Sequence, residues 1–97
     1  IEQARLMVLK TAWLVDTASA SLARTEISAI KVICAQLGCN VVDRAMQVFG
    51  GASMSQDTPL AEMYAWARSL RFADGPDEVH RMAIGRRELG RFAPSDA

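Results

Sequence analysis

From Ile1 to about Asp16, apolar residues fall at Ile1, Ala4, Leu6, Met7, Val8, Leu9, Ala12, Trp13, Leu14 and Val15, with Glu2, Arg5 and Lys10 between them. That spacing predicts a helix that is apolar on most of its sides and therefore largely buried. The small residues of Thr17–Arg24 mark a break, and Thr25 followed by Glu26 and Ser28 offers a capping start for a second helix. From Thr25 to Phe49 the positions Ile27, Ile30, Cys34, Leu37, Val41, Ala45 and Val48 step by threes and fours into one ridge, which predicts a central helix turned to the core along that line. A second stripe, Gln36, Asn40, Asp43 and Gln47, reads as a solvated face. Gly50-Gly51 should end the helix, because glycine enters the left-handed cap conformation freely.

Ala52–Pro59 reads as a polar loop, with Pro59 in the first turn of a third helix whose apolar face is Leu60, Met63, Tyr64, Ala67 and Leu70. In Ala73-Asp74-Gly75-Pro76-Asp77-Glu78, Gly75 permits a sharp bend and Pro76 suits the first helical position, while Asp77 and Glu78 favour the positive helix start. The last helix then runs to about Leu89, and Gly90–Ala97 reads as a frayed tail. The expectation is an all-α, antiparallel bundle of about four helices with no strand and no internal repeat.

Composition narrows the use of such a bundle. Its 97 residues hold one small core, and 51% hydrophobic with 23% charged residues is a globular balance. Zero net charge disfavours nucleic acid and anionic membranes as partners. The absence of an uninterrupted apolar run of about 18 residues argues against membrane insertion. Two cysteines, Cys34 and Cys39, with a single histidine are too few for a disulfide scaffold or a zinc site, so a reducing, cytoplasmic setting fits. The chain opens on Ile1 already in helical rhythm, as if cut within a helix, and a domain this small is expected to be covered by partner surfaces.

Few residues offer chemistry by spacing alone. His80 reads as a surface residue, and Arg81, Arg86, Arg87 and Arg91 as solvent-facing or subunit-bridging. Met7, Met46, Met54, Met63 and Met82 read as core filler and Trp13 and Trp66 as packing anchors. Two features stand apart. Gln47-Val48-Phe49-Gly50-Gly51 puts an amide and two bare backbone units at a helix end, where a ligand can approach the main chain closely, although a helix cap explains the same glycines. Asp74-Gly75-Pro76 sets a carboxylate ahead of a helix start, where an N-cap is the plainer reading.

Those two features occur in this order in the C-terminal helical domain of flavin-dependent acyl-CoA dehydrogenases, which residues 1–97 resemble along nearly their whole length. The resembling phrases are Ala4-Arg5-Leu6-Met7-Val8-Leu9-Lys10-Thr11-Ala12-Trp13, Ala45-Met46-Gln47-Val48-Phe49-Gly50-Gly51, and Ala67-Arg68-Ser69-Leu70-Arg71 leading into Ala73-Asp74-Gly75-Pro76-Asp77-Glu78-Val79-His80. The resemblance implies that Gln47, Val48, Phe49, Gly50 and Gly51 touch the FAD of a neighbouring subunit. It also implies that Asp74 is the catalytic base, that Gly75 contacts substrate, and that Pro76, Asp77 and Glu78 line the flavin. The sequence departs from the common pattern in having Asp74 where most members have Glu, Ala73 where they have an aromatic and Pro76 where they have Thr. It looks like a subfamily found in bacteria and in larger animal members that carry a kinase-like domain.

The reaction so implied is α,β-dehydrogenation of an acyl-CoA thioester, in which the base takes the α-proton and hydride leaves the β-carbon for the flavin. The implied partners are an acyl-CoA substrate, further copies in a homodimer or homotetramer, and an electron-acceptor flavoprotein. The segment alone is expected to be inactive. Two alternatives stand beside this reading: a nitroalkane or acyl-CoA oxidase on the same scaffold, since related nitroalkane oxidases use Asp as base, and a non-catalytic helical interaction module.

Overall fold

The structure is a computed structural model that describes residues 1–95. It is all-α: α1 (Glu2–Thr17), α2 (Arg24–Phe49), a short 3-10 segment (Gly50–Met54), α3 (Leu60–Ser69) and α4 (Asp77–Gly90), with no strand among the described residues. The four helices match the number and order that the apolar spacing predicts. The last two residues of the expected frayed tail, 96 and 97, lie outside the described residues. Within the rest of that tail, Arg91, Phe92 and Ala93 still donate main-chain hydrogen bonds back to α4 carbonyls.

The 26 residues of α2 form the spine, about 39 Å long at the usual helical rise. Each of α1, α3 and α4 packs on α2, and none of the three packs on another. α3 runs antiparallel to the spine, with Ala67 against Gly38 and the Leu70 carbonyl against Lys31. The α2–3-10 stretch 24–54 is long and apolar enough, by length and composition, to cross a membrane. A core helix passes the same test, and α2 carries the other three helices.

The interior is narrow and made of small side chains. Ala4, Ala23, Val32, Ala35, Cys39 and Val42 are its buried apolar members, joined by Thr11, Ser28, Ser53 and Asp77. This corrects the predicted ridge. The buried line of α2 is Ser28, Val32, Ala35, Cys39 and Val42, whereas Ile27, Val41 and Val48 of the predicted line are exposed, Val48 by 85%. Small residues let helices approach closely, so the contact seam selects them and turns the bulky line outward. The same correction holds for α1, where only Ala4 and Thr11 are buried, and for the expected anchors Trp13 and Trp66, 61% and 70% exposed. Met54, Met63 and Met82, expected in the core, are exposed as well.

The accessible surface of 7247 Å² compares with about 5,500 Å² for a compact protein of 10.6 kDa. The radius of gyration of 17.3 Å compares with about 12.5 Å for a compact chain of 97 residues. The excess carries bulky apolar side chains, Leu22, Val48, Trp66 and Phe92 among them, each at least 70% exposed.

Four boundaries shift from expectation. α2 begins at Arg24 with Ala23 as its cap residue and no side-chain cap bond, so Thr25 lies inside the helix and does not start it. Gly50 takes φ 61° and donates its N–H to the Met46 carbonyl, but the chain then continues as the 3-10 segment instead of entering a loop. Ser53 Oγ on the Gly50 carbonyl and Ser55 Oγ on the Ala52 carbonyl, both at 2.7 Å, hold this extension. Pro59 and Pro76 each occupy the cap position, one residue before the first helical turn where they were expected. Pro76 has an extended ψ of 157°, so helical geometry begins only at Asp77.

Candidate active site

The segment between α3 and α4 is short, partly left-handed and tied down at several points. Asp74 has φ 53°, the only positive φ on a non-glycine among the described residues, and Gly75 follows at φ 103°. Left-handed backbone on a residue with a Cβ costs about 1–3 kcal/mol and persists where its surroundings enforce it. Asp74 itself is exposed. Because Pro76 is the cap residue of α4 and makes no side-chain bond, the plainer reading of Asp74 as an N-cap does not hold.

Three contacts fix this segment. From α2, Lys31 Nζ donates to the carbonyls of Leu70 and Ala73, both at 2.7 Å, satisfying the open carbonyl end of α3 with a cation. Arg71 Nε donates to Asp77 Oδ2 at 2.9 Å, while the Asp77 main-chain N–H donates to the Arg71 carbonyl at 3.0 Å, closing residues 71–77 into a ring. Finally, His80 Nε2 lies 3.3 Å from the Asp74 carbonyl.

Asp77 is the most buried large side chain, 1% exposed, and its Oδ1 has no hydrogen-bond partner among the described residues. Its carboxylate is thus engaged inside the loop by Arg71, while Pro76 and Glu78 on either side are exposed. The Arg71 guanidinium is raised above the ordinary arginine value, first by its hydrogen bond to Asp77, against an opposing cost of burial. A raised cation stabilises the folded state below the unfolded arginine value and ceases to do so only as pH climbs through the folded one. The Arg71–Asp77 tie therefore does not depend on the arginine losing its proton anywhere in the working pH range.

Lys31 was not singled out by sequence reasoning, yet a signal exists: it is the only charge on α2 between Glu26 and Asp43. Lys31→Met keeps the length of the side chain and removes both bonds, each made by a charged donor and worth about 1.5–3 kcal/mol net. Urea unfolding should show a loss of about 3–6 kcal/mol for the two bonds together, and an unchanged midpoint would mean the bonds hold nothing.

The second predicted cluster lies elsewhere. Gln47, Val48, Phe49, Gly50 and Gly51 are all exposed at the end of α2. Gln47, Gly50 and Gly51 line an open cleft of about 370 Å³ with Asp43, Met46, Ser53 and Met54. A Cβ placed on Gly50 or Gly51 would meet nothing within 4 Å. Lys31, which anchors the Asp74 loop, and Gln47 are 16 residues apart on one helix, a rise of about 24 Å. The structure gathers Asp74, Gly75, Pro76, Asp77 and Glu78 at one station of the spine and the five residues 47–51 at another. Of the arginines of α4, Arg81, Arg86 and Arg91 are exposed as expected, while Arg87 reaches back to Ser28 Oγ at 3.5 Å. No group of three or more His, Cys, Asp or Glu suited to a metal occurs among the described residues.

Comparison with known proteins agrees with this architecture. Residues 1–89 match the family described as "Acyl-CoA dehydrogenase, C-terminal domain". The chain is similar to "Acyl-CoA dehydrogenase family member 10" of Mus musculus, 52% identical over 92% of this chain and 8% of that one. It is similar to "Acyl-CoA dehydrogenase family member 11" of Rattus norvegicus, 55% identical over 92% of this chain and 11% of the relative. A chain solved under the name "putative acyl-CoA dehydrogenase" from Mycobacterium abscessus superposes with a TM-score of 0.92 at 47% identity, covering 95% of this chain and 23% of its own. This chain thus spans less than a quarter of the length of each of these relatives. A spine helix ending in Gln-Val-Phe-Gly-Gly, a braced Asp-Gly-Pro loop between α3 and α4, and a family match across nearly all of the chain place it in the acyl-CoA dehydrogenase family, as its C-terminal helical domain.

Proposed function

We propose that this chain supplies the catalytic base and one side of the FAD site of an enzyme that α,β-dehydrogenates acyl-CoA thioesters. The observation that carries the reading is Asp74: an exposed carboxylate on a left-handed residue, in a loop braced by Lys31, Arg71, Asp77 and His80. Bracing of that kind is what positioning a base against a carbon acid requires, because proton transfer needs the carboxylate within hydrogen-bond reach of the carbon it deprotonates.

The residues at the end of α2 fit a flavin nucleotide. Gly50 and Gly51 leave open space where side chains would stand, so a flat ligand can lie against the main chain, and the exposed Gln47 amide offers both a donor and an acceptor beside them. The separation of this cleft from Asp74 supports a cofactor whose binding surface at residues 47–51 belongs to a different active site from the base of the same chain, as in a symmetric pair. FAD, when bound, would accept hydride from the β-carbon of the acyl group. Asp74 takes the α-proton onto its carboxylate oxygen, and the two departures leave a carbon–carbon double bond. Gly75 is proposed to face the substrate through its main chain, and Pro76 and Glu78, exposed at the start of α4, to line the flavin. Asp77 acts on that edge through the loop it closes.

The apolar surface left open on the bundle supports a homodimer or homotetramer, and reoxidation by an electron-acceptor flavoprotein completes the proposed cycle. Two unpaired thiols, Cys34 and Cys39, support a reducing, cytoplasmic setting.

Anaerobic bleaching of the flavin in the full-length protein by a panel of acyl-CoA thioesters tests the reading. Bleaching by at least one thioester supports it, and bleaching only by nitroalkanes replaces it. The cofactor cleft makes its own prediction. Gly51→Leu has room within the chain and stands at a residue whose φ is not left-handed, so the fold should be unaffected. The side chain would enter the space assigned to FAD, costing about 1–3 kcal/mol, or about 5- to 150-fold in FAD affinity measured by titration of the apoprotein. Unchanged affinity would remove the cleft from the cofactor site.

A further inference from the structure

We propose that His80 is a positioning residue for Asp74, pinning the left-handed peptide on which the carboxylate is mounted; this rests on the reading of Asp74 as the base. The main-chain bonds of the loop leave one gap. Lys31 holds the Ala73 carbonyl, and the Asp77 N–H holds the Arg71 carbonyl. Between these fixed points Pro76 has no N–H, and among the described residues the only hydrogen bond to the Asp74 or Gly75 backbone comes from His80. Two successive left-handed residues thus depend on one side chain for a bond that their own geometry does not provide.

The ring is set for this task by the first turn of α4. His80 donates its own N–H to the Pro76 carbonyl at 3.3 Å, which turns its half-buried side chain back over the loop. The imidazole occupies the space that a side chain on Gly75 would need: a Cβ there would stand 2.9 Å from Nε2 and 3.5 Å from both Cδ2 and Cε1. Gly75 and His80 are therefore complementary, the one left bare so that the other can reach across it to the Asp74 carbonyl. A carbonyl oxygen only accepts, so Nε2 carries the proton in this contact. His80 does not touch the reacting carbon in this scheme and acts through the position of Asp74.

The test uses the full-length flavin-loaded protein and the variants His80→Leu, His80→Ala and His80→Gln. Leu and Ala remove the donor, whereas the Gln amide N–H donates from a similar reach. At saturating thioester, Leu and Ala should slow anaerobic bleaching by about 10²-fold, the loss expected for a misplaced reacting group. Thioester affinity should stay within about threefold, and Gln should recover most of the rate. Crystal structures of the Leu or Ala protein should show Asp74 out of its left-handed φ. Bleaching at the unaltered rate, a Gln variant as slow as Leu, or a loss confined to thioester affinity would overturn the proposal. So would an Asp74 that keeps its φ without the imidazole. If no thioester bleaches the unaltered protein, the base reading fails on its own, and the crystal structures still decide whether His80 sets Asp74.

Discussion

Asp74→Asn in the full-length protein should bleach its flavin about 10²- to 10⁴-fold more slowly than the unaltered protein at saturating acyl-CoA, the share of rate a positioned general base supplies. That corresponds to about 3–5 kcal/mol on the barrier. The substitution isolates the proton-accepting oxygen. Asn has nearly the shape of Asp and shares its tolerance of the left-handed region, so φ 53° and the loop bonds should survive. Because the side chain is exposed and makes no hydrogen bond among the described residues, its replacement should leave stability close to unchanged. The decisive pattern is a lost rate with intact thioester binding. A variant that bleaches as fast as its parent would show that another group takes the α-proton.

Gly75→Val should produce the next largest loss, by a different route. A β-branched residue at φ 103° is a backbone outlier, and its Cβ would stand 2.9 Å from His80 Nε2. The loop must then leave its left-handed path or expel the imidazole, and either outcome moves Asp74. About 10²-fold should be lost in bleaching, together with about 1–3 kcal/mol of stability. Gly51→Leu, where an added side chain finds open space, serves as the comparison: it should lose cofactor affinity while keeping its stability. A Gly75→Val protein with full rate and stability would mean that neither the bend nor the His80 contact matters.

What the sequence made legible was whatever is encoded locally. Gly50, Gly51, Gly75, Pro59 and Pro76 punctuate the helices within a residue or two of where they were placed, because backbone preference acts on the residue that carries it. The direction of burial was not legible. Both the line of Ile27, Ile30 and Cys34 and the line of Ser28, Val32 and Ala35 step at helical spacing, and periodicity cannot say which one a neighbour within the same chain will cover. The bulkier line looked like the core, yet the close seam took the smaller one. At the site, the Asp-Gly-Pro phrase was visible as a phrase, but its bracing was not. Lys31 is about forty residues from the carbonyls it holds, and the burial of Asp77 depends on the fold of the whole loop. His80 was read as a surface residue because nothing at its own position in the sequence announces a contact six residues back.

The attachment of α1, α3 and α4 to α2 alone also bears on how the domain comes apart. No ring of mutual contacts locks the outer helices to one another, so the departure of one leaves the seats of the other two in place. Opening is then a set of separate detachments from a common rod, each with its own free energy. The Asp74 loop, bound to the rod through Lys31 and to its own hinge through Arg71 and Asp77, joins two helices that share no contact with α1 and can stay seated while α1 detaches.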